Sequence, residues 1–164
     1  YMGLHLLERE KRACGGQPDP KPKFEGHEYI LGRQLKPEAR TDIIERLAEA
    51  GIVPTSMIDI TDGLASETLH LCKSSGCGAR IYLDRLPIAR QTHDMAEELH
   101  ADPFIAALNG GQDYELLFTV PLSKQQEIFA LGVDVIGHVT AAGTGAMLVT
   151  PDGSEIALKA PGWK

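Results

Sequence analysis

The chain has 164 residues, of which 43% are hydrophobic, and a formal net charge of −7, so it is long enough for one domain with a core and too short for two large ones. The negative charge argues against non-specific binding to nucleic acid or to an anionic membrane, and no apolar run reaches the length of a membrane span. Three cysteines with no Cys-x-x-Cys pair predict a reduced, cytoplasmic protein rather than a disulfide scaffold or a zinc site.

The N-terminal segment has the pattern of an amphipathic helix. Met2, Leu4 and Leu7 are spaced for one face of a helix over residues 1–13. No capping residue precedes this helix. We therefore expect that the chain begins inside a larger protein.

A stretch rich in proline and glycine follows this helix. Residues 14–22 contain three prolines and two glycines, which is typical of a linker or an exposed loop. This composition predicts a division of the chain in two. Residues 1–26 would be the end of a missing N-terminal domain with its linker, and residues 27–164 would be a C-terminal domain.

The next elements are a helix, a strand and a second helix. Pro37 suits the first turn of a helix over residues 37–50, which Gly51 can end. Residues 56–61 alternate as a strand, with Ile58 and Ile60 on one face and Asp59 and Thr61 on the other. A helix over residues 63–75 is expected to bury Ala65, Leu69 and Cys72 and to expose Ser66, His70 and Lys73.

The second half of the chain mixes helices and strands. Asp102 is a predicted N-cap and Ser123 begins a sequence with capping-box spacing. Pro151, Asp152 and Gly153 form a predicted hairpin turn. The predicted strands cover residues 78–83, 113–120 and 133–139, and the predicted helices cover residues 92–99, 102–108 and 123–132. This order predicts an α/β or α+β fold in which helices pack on a mixed sheet.

Two carboxylates and a hydroxyl stand where the strand at residues 56–61 meets the next helix. Asp59 and Thr61 project to the same face of the strand, and Asp62 lies at the turn. Mg²⁺ prefers carboxylate oxygens together with water and phosphate, and a helix N-terminus attracts phosphate. The pattern is typical of a metal–phosphate site, although Asp62 alone is also a good N-cap and Asp59 could be an ordinary exposed strand residue.

A second motif, Asn109 to Phe118, places two glycines before a strand. Gly110 and Gly111 would let the backbone approach a ligand, and Gln112 and Asp113 follow at once. Taken alone, the motif is better explained as a plain helix-to-strand turn, because paired glycines are common in turns.

Taken together, these segments resemble the thiamine-monophosphate kinase family, within the superfamily of aminoimidazole ribonucleotide synthetase. The resemblance runs over essentially the whole chain, and the order of the Asp-x-Thr-Asp-Gly and Gly-Gly-Gln-Asp-Tyr-Glu-Leu motifs is its most specific part. The segments that carry it are YMGLHLLEREK, QLKPEAR, MIDITDGLASETLHLCKSSGCGARI, LPI, ALNGGQDYELLFTVP and APGW.

The resemblance implies ATP-dependent phosphorylation of thiamine monophosphate to thiamine diphosphate with Mg²⁺. By this resemblance Asp59 and Asp62 would be magnesium ligands and Thr61 would contact ATP. Gln112 and Trp163 would contact the thiamine phosphate substrate. No residue of this chain is predicted to be a catalytic acid, base or nucleophile, because a phosphate oxygen is already deprotonated near neutral pH.

Two departures from the family pattern limit what the resemblance implies. Gln112 occupies a place where the family usually has Glu, so it can form hydrogen bonds but carries no charge. The family's N-terminal domain, with other magnesium ligands and the main homodimer surface, has no counterpart in these residues, so we expect the isolated chain to be inactive. The alternatives are another ATP-dependent synthetase of this superfamily and a non-catalytic binding module that retains the fold.

Overall fold

A computed structural model describes residues 1–15 and 21–160 of the chain. The described residues form a mixed α/β structure, which confirms the predicted fold class. The helices are α1 (Met2–Cys14), α2 (Glu28–Leu35), α3 (Thr41–Glu49), α4 (Leu64–Ser75), α5 (Arg90–Leu99), α6 (Pro103–Asn109) and α7 (Gln125–Ala130). The strands are β1 (Ser56–Asp59), β2 (Gly78–Tyr82), β3 (Leu116–Thr119), β4 (Gly137–Thr140), β5 (Ala146–Val149) and β6 (Glu155–Ala157).

The strands form two sheets in the described part of the chain. The larger sheet has the order β4-β2-β5-β6, in which β2 pairs parallel with β5 and antiparallel with β4. Strands β5 and β6 form the hairpin that the sequence predicts, with the turn closed by a hydrogen bond from the Gly153 N–H to the Thr150 carbonyl. The smaller sheet pairs β1 antiparallel with β3 and aligns Asp59 with Leu116.

Helix α1 packs against the helices that follow it. Its buried residues are Met2, Gly3, Leu6 and Glu10. The buried face differs from the predicted one, because Leu6 is fully buried while Leu4 is exposed. Met2 and Leu6 form one hydrophobic cluster with side chains of α2, α5 and α6. The division of the chain at residues 26 and 27 stays a prediction.

Two predicted helix starts differ from the structure. Helix α3 begins at Thr41 rather than at Pro37, since Arg40 lies outside the helix and pairs with Asp42 and Glu115. Ser123 does not cap a helix. It lies in a 3-10 turn ahead of α7, whose N-terminus has no side-chain cap.

Helix α4 also differs from the prediction in which of its residues are buried. Its first five residues are all buried, including Ser66, which the sequence places on the exposed face. The reason is that α4 packs against α6 and against strands of both sheets, so its first turn is enclosed on several sides. Elsewhere the predictions of Asp102 as N-cap of α6 and Gly51 as the left-handed residue after α3 are confirmed.

Strand β3 is shorter than predicted, and the difference matters for the site. Residues 113–115 have strand-like composition, but Gln112 and Tyr114 have φ angles of 59° and 53°. Non-glycine residues rarely adopt this left-handed conformation, and it cannot continue a strand. The chain therefore makes an irregular loop before β3 begins at Leu116.

Within residues 1–15 and 21–160, every helix is too short or too polar to cross a membrane.

Candidate functional site

The two motifs singled out in the sequence meet in space. The Gln112 N–H donates to the Thr61 carbonyl at 2.6 Å, and the Tyr114 N–H donates to the Ile60 carbonyl at 2.9 Å. These bonds extend the β1–β3 pairing past the end of both strands. We call the two segments, residues 59–63 and 109–115, the paired loops.

Glycine is required at two positions where the paired loops touch. A Cβ atom on Gly63 would lie 2.6 Å from the Leu108 carbonyl oxygen, and a Cβ atom on Gly111 would lie 2.6 Å from the Thr61 carbonyl oxygen. Both glycines also have positive φ, 112° and 70° respectively. The glycines of the two motifs therefore serve close backbone contact between the loops.

The carboxylates of Asp59 and Asp62 have no protein partner among the described residues. Both residues are exposed, and within the described part of the chain neither carboxylate has a hydrogen bond or an ion pair. The N-cap of α4 is Gly63, with no side-chain capping bond. The alternative that Asp62 serves as an N-cap is therefore wrong.

Thr61 is held by a buried acid from the first turn of α4. Its hydroxyl donates to Glu67 Oε1 at 3.3 Å, and the Asp62 N–H donates to the same oxygen at 3.1 Å. Glu67 is only 2% exposed. Glu67 was not among the predicted site residues, although an acidic residue in the first turn of a helix that follows an acidic loop is a signal present in the sequence.

The second loop is fixed by two arginines that sequence reasoning also missed. Arg33 donates to the Asp113 carbonyl at 2.5 Å and to Glu115 Oε1 at 2.8 Å. Arg40 pairs with Glu115 Oε2. These contacts join residues more than 70 positions apart in the chain, so no local pattern indicates them.

Asp113 is the one residue of the second loop with a clearly shifted acidity. Burial raises the pKa of the Asp113 carboxyl to about 6, against the pull of the Arg33 guanidinium. The nearby negative charges of Glu115 and Glu67 raise it further. The charge of Glu67, in the first turn of α4, is therefore felt at Asp113 in the second loop.

Gln112 and Trp163 were both predicted to contact substrate. Gln112 is exposed, and its Oε1 accepts a hydrogen bond from Gln34 Nε2 at 3.0 Å. It lines a cavity of about 1080 Å³ together with Arg33, Asp113 and Glu115, and cavities of this size accommodate small organic ligands. Asp59, Thr61 and Asp62 do not line this cavity. Trp163 lies outside the described residues.

The donor set suits a hard divalent cation. Among the described residues there is no group of three or more His, Cys, Asp or Glu side chains that could hold a metal ion, which excludes a metal cage made by these residues. Mg²⁺ is commonly held by one or two carboxylates, with the remaining positions taken by water and phosphate. The free carboxylates of Asp59 and Asp62 fit that mode of binding.

Comparison with known proteins gives a consistent result. The family model described as AIR synthase related protein, C-terminal domain, matches residues 3–150. The thiamine-monophosphate kinase of Aquifex aeolicus (strain VF5) is 32% identical over 163 residues, which are 99% of this chain and 46% of that protein. The thiamine-monophosphate kinase of Escherichia coli (strain K12) is 38% identical over 146 residues, 84% of this chain and 41% of that protein.

Solved structures agree with the sequence relatives. The structure described as "AaThiL complexed with AMPPCP and TMP" has a TM-score of 0.75 at 31% identity, covering 99% of this chain and 46% of that chain. Escherichia coli HypE, a hydrogenase maturation protein, has a TM-score of 0.60 at 24% identity, covering 74% of this chain and 39% of that chain, and shares the fold. The chain spans about half the length of the curated relatives it matches.

Proposed function

The chain belongs to the AIR synthase related protein family, as its match to the C-terminal domain model establishes, and we propose that it forms part of an ATP-dependent thiamine-monophosphate kinase. The relatives bear that name, and the similar structure holds AMPPCP, an ATP analogue, and TMP. The observation that carries the proposal is the direct joining of the two motifs by the 2.6 Å bond between Gln112 and Thr61. This bond puts the proposed nucleotide loop beside the proposed substrate loop.

The reaction asks little covalent chemistry of the protein. An oxygen of the thiamine monophosphate phosphate forms a bond to the γ-phosphorus of ATP, and the bond from that phosphorus to the β–γ bridging oxygen breaks, so that ADP leaves. Catalysis of this transfer depends on positioning and on neutralising charge. No general base is needed from this chain, because the attacking phosphate oxygen is already deprotonated near neutral pH.

Asp59 and Asp62 would hold Mg²⁺. When bound, Mg²⁺ supplies positive charge that offsets the negative charge of the phosphates. The chain's own contribution is to keep both carboxylates exposed and, among residues 1–15 and 21–160, free of competing partners. The Thr61 hydroxyl, whose bond to Glu67 is long at 3.3 Å, can turn to donate to a phosphate oxygen of ATP.

Gln112 would contact the thiamine phosphate through its amide. A neutral amide can form hydrogen bonds to the substrate but carries no charge, whereas a glutamate in its place would add a negative charge that attracts the cationic thiazolium. The rest of the kinase, including a preceding domain that supplies further acidic ligands and a homodimer surface, is part of the proposal. The isolated chain is accordingly proposed to be inactive.

The test measures formation of thiamine diphosphate from thiamine monophosphate and ATP by the protein in whose reading frame these residues occur. We expect Asp59→Asn to reduce turnover by at least tenfold with unchanged stability. Even groups that only hydrogen-bond to a metal ligand typically change metal affinity or activity by about 10- to 100-fold when they are mutated, and Asp59 is proposed as a ligand itself. Asp94→Asn, which alters an exposed carboxylate on α5 that lies 3.7 Å from Arg90, is the matched control and should have normal turnover. Normal turnover in Asp59→Asn would remove this residue from the mechanism, and an inactive wild-type protein would contradict the proposed function.

A further inference from the structure

Glu67 is a buried acid that the proposed reaction does not use. Glu67 lies in the first turn of α4 and is 2% exposed. Acidic side chains are almost never fully buried unless they are paired, because removing a carboxylate from water costs free energy. Its burial therefore calls for a specific set of partners.

Only one of the two carboxylate oxygens has partners in the described structure. Oε1 accepts from the Asp62 N–H at 3.1 Å and from the Thr61 hydroxyl at 3.3 Å. Oε2 is buried without a hydrogen-bond partner. Unsatisfied buried polar atoms are few in native proteins, and they point to a role beyond packing.

The partners of Oε1 are the residues proposed to bind the nucleotide and the cation. In the described part of the chain, the bond to Glu67 is the one hydrogen bond formed by Asp62. The next residue is Gly63, whose φ of 112° is open to glycine alone. The peptide group between Thr61 and Asp62 is thus held on both sides: the Gln112 N–H donates to its carbonyl oxygen at 2.6 Å, and Glu67 accepts from its N–H.

We propose that Glu67 is a positioning residue: its Oε1 atom holds the Asp62 backbone so that the Asp62 carboxylate points outward for a cation bound to nucleotide phosphates. This inference rests on the proposed function and adds a residue to it. Groups behind a metal ligand orient that ligand, and their removal typically weakens metal binding by 10- to 100-fold.

Two substitutions separate positioning from charge. Glu67→Gln keeps an oxygen that can accept both hydrogen bonds and removes the negative charge, whereas Glu67→Met keeps the length of the side chain and removes the acceptor. Thr68→Val is the matched control. Thr68 is also buried in the same turn, but its hydroxyl donates to the Leu64 carbonyl within the helix at 2.7 Å, so its loss costs stability without touching the loop.

The measurement is the dissociation constant for AMPPCP in the presence of Mg²⁺, by calorimetry on the protein that carries this chain. We expect Glu67→Met to raise this constant by 10- to 100-fold, Glu67→Gln to stay within about threefold because both acceptor bonds persist, and Thr68→Val to bind like the wild type. Wild-type affinity in Glu67→Met would overturn the proposal. An equal loss in Glu67→Gln would also overturn it, since charge rather than the acceptor would then matter.

A second measurement decides the question if Glu67→Met does not fold. Amide hydrogen exchange of the wild-type protein should show protection at Asp62, because its N–H is bound to a buried oxygen. Exchange as fast as in an open loop would overturn the proposal. Failure of the proposed function can be told apart from failure of this inference. If the proposed function is wrong, the wild-type protein does not bind AMPPCP. If only the role of Glu67 is wrong, the wild-type protein still binds AMPPCP and Asp62→Asn still weakens that binding.

Discussion

Replacing Asp113 by Asn should stabilise the protein above pH 6 and have little effect near pH 4. Burial raises the pKa of this carboxyl from its ordinary value of 3.8 to about 6. A carboxyl whose pKa is higher in the folded chain binds its proton more tightly there than in the unfolded chain. Its contribution therefore favours folding at low pH and is lost as the pH rises from about 4 to about 6.

The magnitude follows from the two pKa values. Each pKa unit corresponds to about 1.4 kcal/mol, so a change from 3.8 to about 6 amounts to at most about 3 kcal/mol of destabilisation once the carboxyl is ionised. Asp113 is partly accessible, and solvent screening reduces the effect. We expect Asp113→Asn to raise the free energy of unfolding by about 1–2 kcal/mol at pH 7.5.

The assay is urea unfolding of the wild type and of Asp113→Asn at pH 4 and at pH 7.5. The informative quantity is the difference between the two proteins at each pH, because other groups titrate equally in both. Asp94→Asn, at a carboxylate whose side chain is 64% exposed, is the control and should show no such difference. If Asp113→Asn were no more stable than the wild type at pH 7.5, the reasoning about burial would be refuted.

Three further predictions concern stability and substrate contact. Gly111→Ala should lower the free energy of unfolding by more than the ~1 kcal/mol that a left-handed backbone alone costs, because the new Cβ would lie 2.6 Å from the Thr61 carbonyl oxygen. The control is Gly143→Ala, also at positive φ but with no atom within 4 Å of the new Cβ, which should show only the backbone cost. Equal losses of stability in urea unfolding would contradict the contact between Gly111 and Thr61. Asp102→Ala should cost about 1 kcal/mol, since this side chain accepts from Phe104 N at 2.8 Å, and an unchanged unfolding midpoint would contradict its role as a cap. Gln112→Glu should fold normally, because a carboxylate oxygen can still accept from Gln34, and it should lower the KM for thiamine monophosphate; a large loss of stability would instead assign Gln112 to packing.

The elements predicted correctly from the sequence are those set by neighbouring residues, such as caps and tight turns. Asp102 before Pro103, and the turn at Pro151–Gly153, are such cases, and both are confirmed. The sequence also predicted the strand-to-helix turn at Asp59–Gly63, because an apolar alternation ends there and a helical spacing begins. Helix α2 was missed, since it is short and buries only Ile30.

The parts of the site that could not be predicted depend on contacts between distant residues. Arg33 and Arg40 meet Glu115 across more than 70 positions of the chain, and nothing near Glu115 indicates that pairing. The left-handed φ angles of Gln112 and Tyr114 run against their own preferences and are imposed by the contact between the paired loops. The buried position of Glu67 likewise follows from where α6 packs and not from its helical spacing.

The proposed mechanism depends on the carboxylates of Asp59 and Asp62 holding a divalent cation against nucleotide phosphates. The most direct test is a crystal structure of the protein grown with AMPPCP and Mn²⁺ in place of Mg²⁺, with the metal located by its anomalous scattering. We predict a metal peak at about 2.0–2.2 Å from an oxygen of Asp59 or Asp62 and from a phosphate oxygen. A bound nucleotide with its metal elsewhere, and both aspartates turned away from it, would contradict the account.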